Sequence, residues 1–195
     1  MQKLRYQKRK MMPMITKTTK LKDILKDKHE CRQCGHCCSF GSGFLVGDDK
    51  KRIARFLEIE EEALEKVYLE EVKKFNTTRH RPKLIKENEL PHGRCVFLKG
   101  KKCSIHEVKP LQCKVSNYGK SGDDINEWFH LNYFVDVNDP QSIREWTEHV
   151  RSRDGKTIPG GRPEELVKDK KKLREIKSYS DMKYDKNKIR DNAFS

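Results

Sequence analysis

Residues 31–38 read Cys31-Arg32-Gln33-Cys34-Gly35-His36-Cys37-Cys38. Three cysteines recur with two residues between them, and a fourth follows at once. A tight turn of that spacing lets successive thiolates face one centre while backbone amides point at the sulfurs. Gly35 supplies the conformational freedom such a turn needs. Runs of this kind wrap iron–sulfur clusters, whereas zinc knuckles use separated pairs. The adjacent pair Cys37-Cys38 is unusual. Consecutive residues in an extended or turn conformation point to different sides. The pair therefore serves two centres or one polynuclear centre; the two-centre reading assigns Cys37 to a first centre with Cys31 and Cys34, and Cys38 to a second.

The remaining cysteines lie downstream, as Cys95-Val96-Phe97-Leu98, Cys103-Ser104-Ile105-His106 and Lys109-Pro110-Leu111-Gln112-Cys113. The polar, glycine-containing turn 99–102 between two apolar stretches predicts a β-hairpin carrying Cys95 and Cys103. Lys109-Pro110 begins a turn or short helix that presents Cys113. These three are the natural companions of Cys38. Seven thiolates exceed the four of one zinc ion or one cubane and fall one short of two independent four-ligand sites. A bridging cysteine, His106 as an eighth ligand, or an iron left open to a substrate would each close the gap.

Composition explains why a metal is needed. Leu, Ile, Val and Phe make up only 43 of the 195 residues, while 38% are charged. An apolar core alone would be thin. The formal charge of +14 is unevenly spread: residues 1–30 carry +7, 151–195 carry +6, and 31–150, with every cysteine, only +1. No run approaches the roughly 18 apolar residues of a membrane span, so an integral helical membrane protein is excluded. Met11-Met12-Pro13-Met14-Ile15 is too short for the apolar stretch of a signal peptide. The expected location is cytoplasmic, where thiols stay reduced; that compartment and the odd cysteine count favour metal over disulfides.

Periodicity outlines an α+β fold: a small metal-centred domain with a helical hairpin and a short β-hairpin, flanked by basic tails. Residues 1–20 read as a basic flexible arm, 21–150 as the cysteine-cluster domain, and 151–195 as a basic linker with a C-terminal surface helix or tail. Leu21, Ile24 and Leu25 predict a first helix. Asp48 and Asp49 stand at the start of a second, with Ile53, Ala54 and Leu57; a third runs from about Ala63 to Phe75 after a break near residues 58–60. Trp128 to Val137 reads as a strand, Asp139-Pro140 opens a helix with Ile143, Trp146 and Val150, and Glu164 to Lys177 reads as one more helix. Trp128, Phe129, Tyr133, Phe134 and Trp146 are read as core rather than as a nucleotide-stacking platform.

With these motifs in place the sequence resembles the CxxCxxCC cysteine-cluster family, described as zinc- or iron-chelating. The family pattern is met by Cys31, Cys34, Cys37 and Cys38, by Cys95 with Leu98, by Cys103 with Ile105 and His106, and by Lys109-Pro110 before Cys113. Asp49-x2-Arg52-Ile53-Ala54-x2-Leu57 is similar to the family's helical spacer. The resemblance covers roughly residues 27–120. Lys109 stands for the usual Arg, and Lys114-Val115-Ser116-Asn117 departs from the usual continuation. The resemblance implies that the seven cysteines are the metal or cofactor ligands. It implies a structural role for His106, because the family accepts Tyr there; His36 reads as a solvated loop residue.

The functional expectation is a metal-binding protein holding an iron–sulfur cluster through both cysteine groups. The alternative is a zinc-stabilised structural module presenting basic arms to nucleic acid or a protein partner. RNA or another polyanion is the partner class that suits the tails. By resemblance alone, such domains also occur in flagellin lysine methylases. Here, however, Gly41-Ser42-Gly43 lacks the helix start of a nucleotide-binding turn, and no paired-carboxylate or Ser–His–Asp arrangement is evident. If the metal dominates stability, chelation should unfold residues 27–120 cooperatively; unchanged far-UV circular dichroism after complete metal removal would contradict this.

Overall fold

The computed structural model describes residues 14–26, 31–86, 90, 92–116 and 121–178. In chain order it begins with α1 (Leu21–Lys26), α2 (His36–Phe40), α3 (Asp49–Phe56) and α4 (Glu61–Tyr68). The strands β1 (Leu69–Lys74), β2 (Thr77–Pro82), β3 (Leu84–Ile85), β4 (Arg94–Cys95), β5 (Leu98–Lys99) and β6 (Lys102–Cys103) follow. A 3-10 turn at His106–Val108 leads to α5 (Leu111–Val115), α6 (Gly122–Tyr133), α7 (Pro140–Arg151) and α8 (Pro163–Leu166). The strands pair antiparallel in sequence order, β1 with β2, β3 with β4 and β5 with β6. The fold is thus mixed helix and short antiparallel hairpins, with the expected helices at α1, α3 and α7. Asp139 caps α7 by accepting from the backbone N–H of Gln141 at 2.9 Å. Glu58, at φ 55°, breaks the chain between α3 and α4.

Three elements differ from the sequence expectation. The third predicted helix stops at Tyr68, and its remainder is β1, turned back by Phe75 and Asn76 at φ 49° and 54°. Two successive positive φ values are what a two-residue hairpin loop needs. Phe75 accepts that conformation because its ring is buried edge-on against Trp146, with centroids 5.1 Å apart. Residues 128–133 are helical, within α6, where Ile125, Glu127, Trp128, Phe129, His130 and Leu131 are all buried. A helix buried nearly all round shows no apolar stripe, so its sequence passes for a strand. The predicted helix 164–177 is broken at Val167, which is extended. Asp169 Oδ1 accepts from the N–H groups of Lys171 and Lys172 at 2.8 and 3.1 Å and starts a new helical stretch, 170–178.

The apolar residues collect in two main clusters, separated by the segment 43–46. Phe44 and Val46 face one cluster, built on Trp128, Phe129, Phe134 and Trp146. Leu45 faces the other, with Ile53, Leu64, Leu69, Phe97 and Ile105, and Cys38 and Cys103 at its edge. This is the alternation of an extended chain. The aromatic residues are therefore core, and both indoles are satisfied: Trp128 Nε1 donates to the Thr19 carbonyl at 2.8 Å and Trp146 Nε1 to that of Gly161 at 2.7 Å. The described end of the basic arm is packed as well. Ile15 is buried in the first cluster, and the Lys17 N–H donates to the Pro159 carbonyl at 2.9 Å. Leu173 and Ile176 likewise pack on Ile143 of α7 with Val167. Residues 1–13 and 179–195 of the predicted tails lie outside the described residues.

One polar group is buried between α6 and the β1–β2 turn. His130 is 2% exposed, its Nε2 is 3.1 Å from Lys74 Nζ, and its Nδ1 has no hydrogen-bond partner among the described residues. Burial first, then the charges of Lys74 and His149, push His130 down to about 3, with Glu127 opposing. In the unfolded chain an imidazole titrates near 6.5, so below that pH the unfolded state binds a proton that the folded state refuses. Stability should therefore fall as pH drops from 6.5 toward 3, by up to about 1.4 kcal/mol per pH unit. Urea denaturation at pH 7 and pH 5 should show His130→Phe losing less stability over this interval than the parent.

Candidate metal centre

The first cysteine group hangs on a turn that only glycine fits. Gly35 has φ 77°, and a Cβ there would lie 3.1 Å from the Lys101 carbonyl oxygen. The turn therefore sits directly on the β5–β6 hairpin, which bears Cys103. Ser39 closes it from above, its N–H and Oγ both donating to the Gly35 carbonyl at 2.9 and 3.0 Å. Cys31, Cys34 and Cys37 are exposed and Cys38 is half-buried. Cys37 and Cys38 do not point apart. Their Sγ atoms are 3.8 Å from each other, because both lie on α2, a turn of helix, where successive side chains are not opposed.

The second group lies beneath. Cys95 is buried on β4 opposite Leu84, and Cys103 is half-buried on β6 opposite Leu98. Cys95 therefore sits on the strand before the predicted hairpin and Cys103 on the hairpin itself. Cys113 is on α5, against Gly43. Each thiol takes a backbone N–H: Cys95 from Phe97, Cys103 from Ile105, Cys113 from Gly43. Burial pushes Cys113 up to about 12 and Cys95 up to about 11, and raises Cys103 as well. Cys38 is raised by its hydrogen bond with Cys37, then by burial, then by the negative charge of Cys37, Cys103 and Cys113. Cys37 also acts on Cys95, Cys103 and Cys113, and Cys31 on Cys103. The structure thus brings both groups into one electrostatic neighbourhood.

Among the described residues no three Cys, His, Asp or Glu side chains stand in a ready-made ion-holding arrangement. The donor set nevertheless suits a soft cation. Buried thiols crowded together are costly to ionise, the backbone N–H groups offset part of that cost, and a cation removes the rest. His106 is half-buried, and among the described residues its Nδ1 has no partner for the expected structural bond. Burial lowers its pKa, as does the charge of Lys109, with Glu107 opposing. His36 is exposed and packs edge-on against Phe40.

Sequence reasoning missed the residue that joins the two groups. Asp49, read as a helix-start acid, is 2% exposed. Its Oδ2 accepts from the N–H groups of Val46 and Leu111 at 3.0 and 2.8 Å, and its Oδ1 from Arg52 Nη2 at 2.5 Å. Arg52 Nη2 also reaches the Lys109 carbonyl at 3.3 Å. Gln112 Oε1 accepts from the Phe44 N–H at 2.7 Å. The Asp49-x2-Arg52 spacing in the helical spacer was the available signal.

The family described as "CxxCxxCC: Putative zinc- or iron-chelating domain" matches residues 30–132, more than half of the chain, and the chain belongs to it. An uncharacterized protein of Methanocaldococcus jannaschii is 34% identical over 92 residues, which span 46% of this chain and 44% of that protein. No solved structure matches. Metal binding, to zinc or iron, is the property this membership carries. No helix among the described residues is long and apolar enough to cross a membrane.

Gly43 offers a direct test of the centre. A Cβ there would lie 2.5 Å from Cys113 Sγ and 3.0 Å from its backbone nitrogen. Gly43→Ala should displace Cys113, destabilise the protein by about 1–3 kcal/mol and lower bound metal per chain, read by denaturation and metal analysis. Gly41→Ala, which meets nothing within 4 Å, should leave metal content unchanged.

Proposed function

We propose that Cys31, Cys34, Cys37, Cys38, Cys95, Cys103 and Cys113 hold an iron–sulfur cluster. The observation that carries this reading is the 3.8 Å separation of the Cys37 and Cys38 sulfurs. Two thiolates on one tetrahedral ion, at metal–sulfur bonds of about 2.3 Å, stand roughly 3.8 Å apart. Adjacent cysteines at that spacing support one centre that takes both, in place of two centres divided between Cys37 and Cys38. Seven thiols are more than one zinc ion uses, which favours a cluster. A cluster would supply electron transfer or, at an iron not fully ligated, a Lewis-acid position. The chain's own part is to crowd the thiols, direct backbone N–H groups at the buried sulfurs and leave the first group open to solvent. A cytoplasmic location agrees with thiols kept reduced, and the basic ends suit RNA or another polyanion.

Anaerobic purification with metal analysis and a visible spectrum decides the metal. A brown protein with iron and inorganic sulfide is expected; a colourless zinc protein would replace this reading with the structural-module alternative. Serine replacement at Cys37 and at Cys38 should lower the same absorption and the same metal count. Losses of different metal from the two variants would restore two centres.

A further inference from the structure

One end of α2 rests on a cationic turn and its other end carries an exposed ring. Phe40, at the end of α2, is 56% exposed. It is held by His36 on one side, with ring centroids 5.4 Å apart, and by His92 on the other, at 5.6 Å. The turn joining β5 and β6 reads Lys99-Gly100-Lys101-Lys102, and all four residues are exposed. It adjoins α2, because Gly35, which opens that helix, rests on the Lys101 backbone. Arg94, also exposed, sits on β4 beneath α2 and donates from Nη1 to the Leu98 carbonyl at 2.9 Å. Among the described residues none of Lys99, Lys101, Lys102 or Arg94 has a carboxylate partner.

An unpaired cationic turn beside a fixed, water-exposed aromatic ring combines the two features that bind a single strand: charge for phosphates and a π face for a base. We propose that this surface is a binding site for single-stranded nucleic acid, with one base on Phe40 and the neighbouring phosphates on the Lys99–Lys102 turn. An acidic protein would use the lysines and gain little from the ring. The site lies in the near-neutral part of the sequence and is distinct from the charged ends. It goes beyond metal binding and does not depend on which metal the cysteines hold.

The test uses the full chain with its metal as purified, a fluorescein-labelled 12-residue oligouridine, a duplex of equal length and polyglutamate, over a salt titration. Phe40→Ala should weaken oligouridine binding about five- to tenfold, and Phe40→Trp should retain it. The double variant Lys101→Ala/Lys102→Ala should lower the slope of log affinity against log salt by about 1.4, roughly 0.7 for each phosphate no longer neutralised. Metal content is measured on every sample. The double variant removes no thiol and decides the matter if Phe40→Ala loses metal. Unchanged affinity and slope in that variant would overturn the proposal and assign polyanion binding to the ends of the chain. Polyglutamate binding tighter than oligouridine at equal charge would overturn it in favour of an acidic protein, and duplex binding as tight as single-strand binding would overturn it as well, since paired bases cannot stack on the ring.

Discussion

Asp49 is a carboxylate with three donors and almost no access to water, and the two halves of the cysteine centre meet through it. Its oxygens accept from Val46, Leu111 and Arg52. Val46 ends the segment that follows the first cysteine group, and Leu111 begins the helix that carries Cys113. One side chain thus sets the distance between pieces of chain more than sixty residues apart. Hydrogen bonds to an ionised group are roughly twice as strong as neutral ones, and a buried carboxylate deprived of a donor keeps its desolvation cost. The clamp therefore works as a unit. Within the distance it sets, Gly43 lies against the Cys113 sulfur with no room for a side chain.

The extended segment 43–46 gains its second role from the same placement. Its residues alternate between two cores, Phe44 and Val46 on one side and Leu45 on the other. Its N–H groups are all used: Gly43 donates to the Cys113 sulfur, Phe44 to Gln112, Leu45 to the His80 carbonyl at 2.8 Å and Val46 to Asp49. The aromatic core and the cysteine-bearing core are thus joined by a strap that can shift toward neither without losing hydrogen bonds buried from water. A small apolar inventory is made to stabilise two clusters by sharing one wall.

Charge is handled differently in the two regions. Near the aromatic core, Glu127 is buried with Thr157 Oγ1 donating to its Oε2 at 2.5 Å and Arg153 Nε 3.1 Å from its Oε1. Burial alone would raise its pKa; the contact with His149 Nε2 at 3.7 Å, hydrogen bonds from Thr157 and Ile158 and the charge of Arg153 outweigh that and hold it low. At the cysteine centre burial prevails: the charge of Lys109 at Cys103, that of Arg94 at Cys95 and the backbone N–H groups oppose it without outweighing it, and the pKa values rise. A cation is the missing counter-charge, which is what membership of a metal-chelating family implies in chemical terms.

The sequence by itself determined the seven thiols, their grouping and the soft metal chemistry, because ligand type and local spacing are properties of short stretches. It also determined α1, α3 and α7, whose apolar residues recur at helical spacing, with an acidic start at α3 and α7. It misread α6, because a helix buried on nearly all sides loses its stripe, and β1, because the Phe75-Asn76 turn relies on a ring packed against Trp146 rather than on glycine. The opposed directions assigned to Cys37 and Cys38 presupposed an extended or turn chain. In the folded chain α2 is helical and its two sulfurs lie together. Only the tertiary structure turned Asp49 from a helix-start acid into a clamp. That outcome depends on a group brought from more than fifty residues away, the Leu111 N–H over Asp49, and no local pattern encodes a partner at that separation.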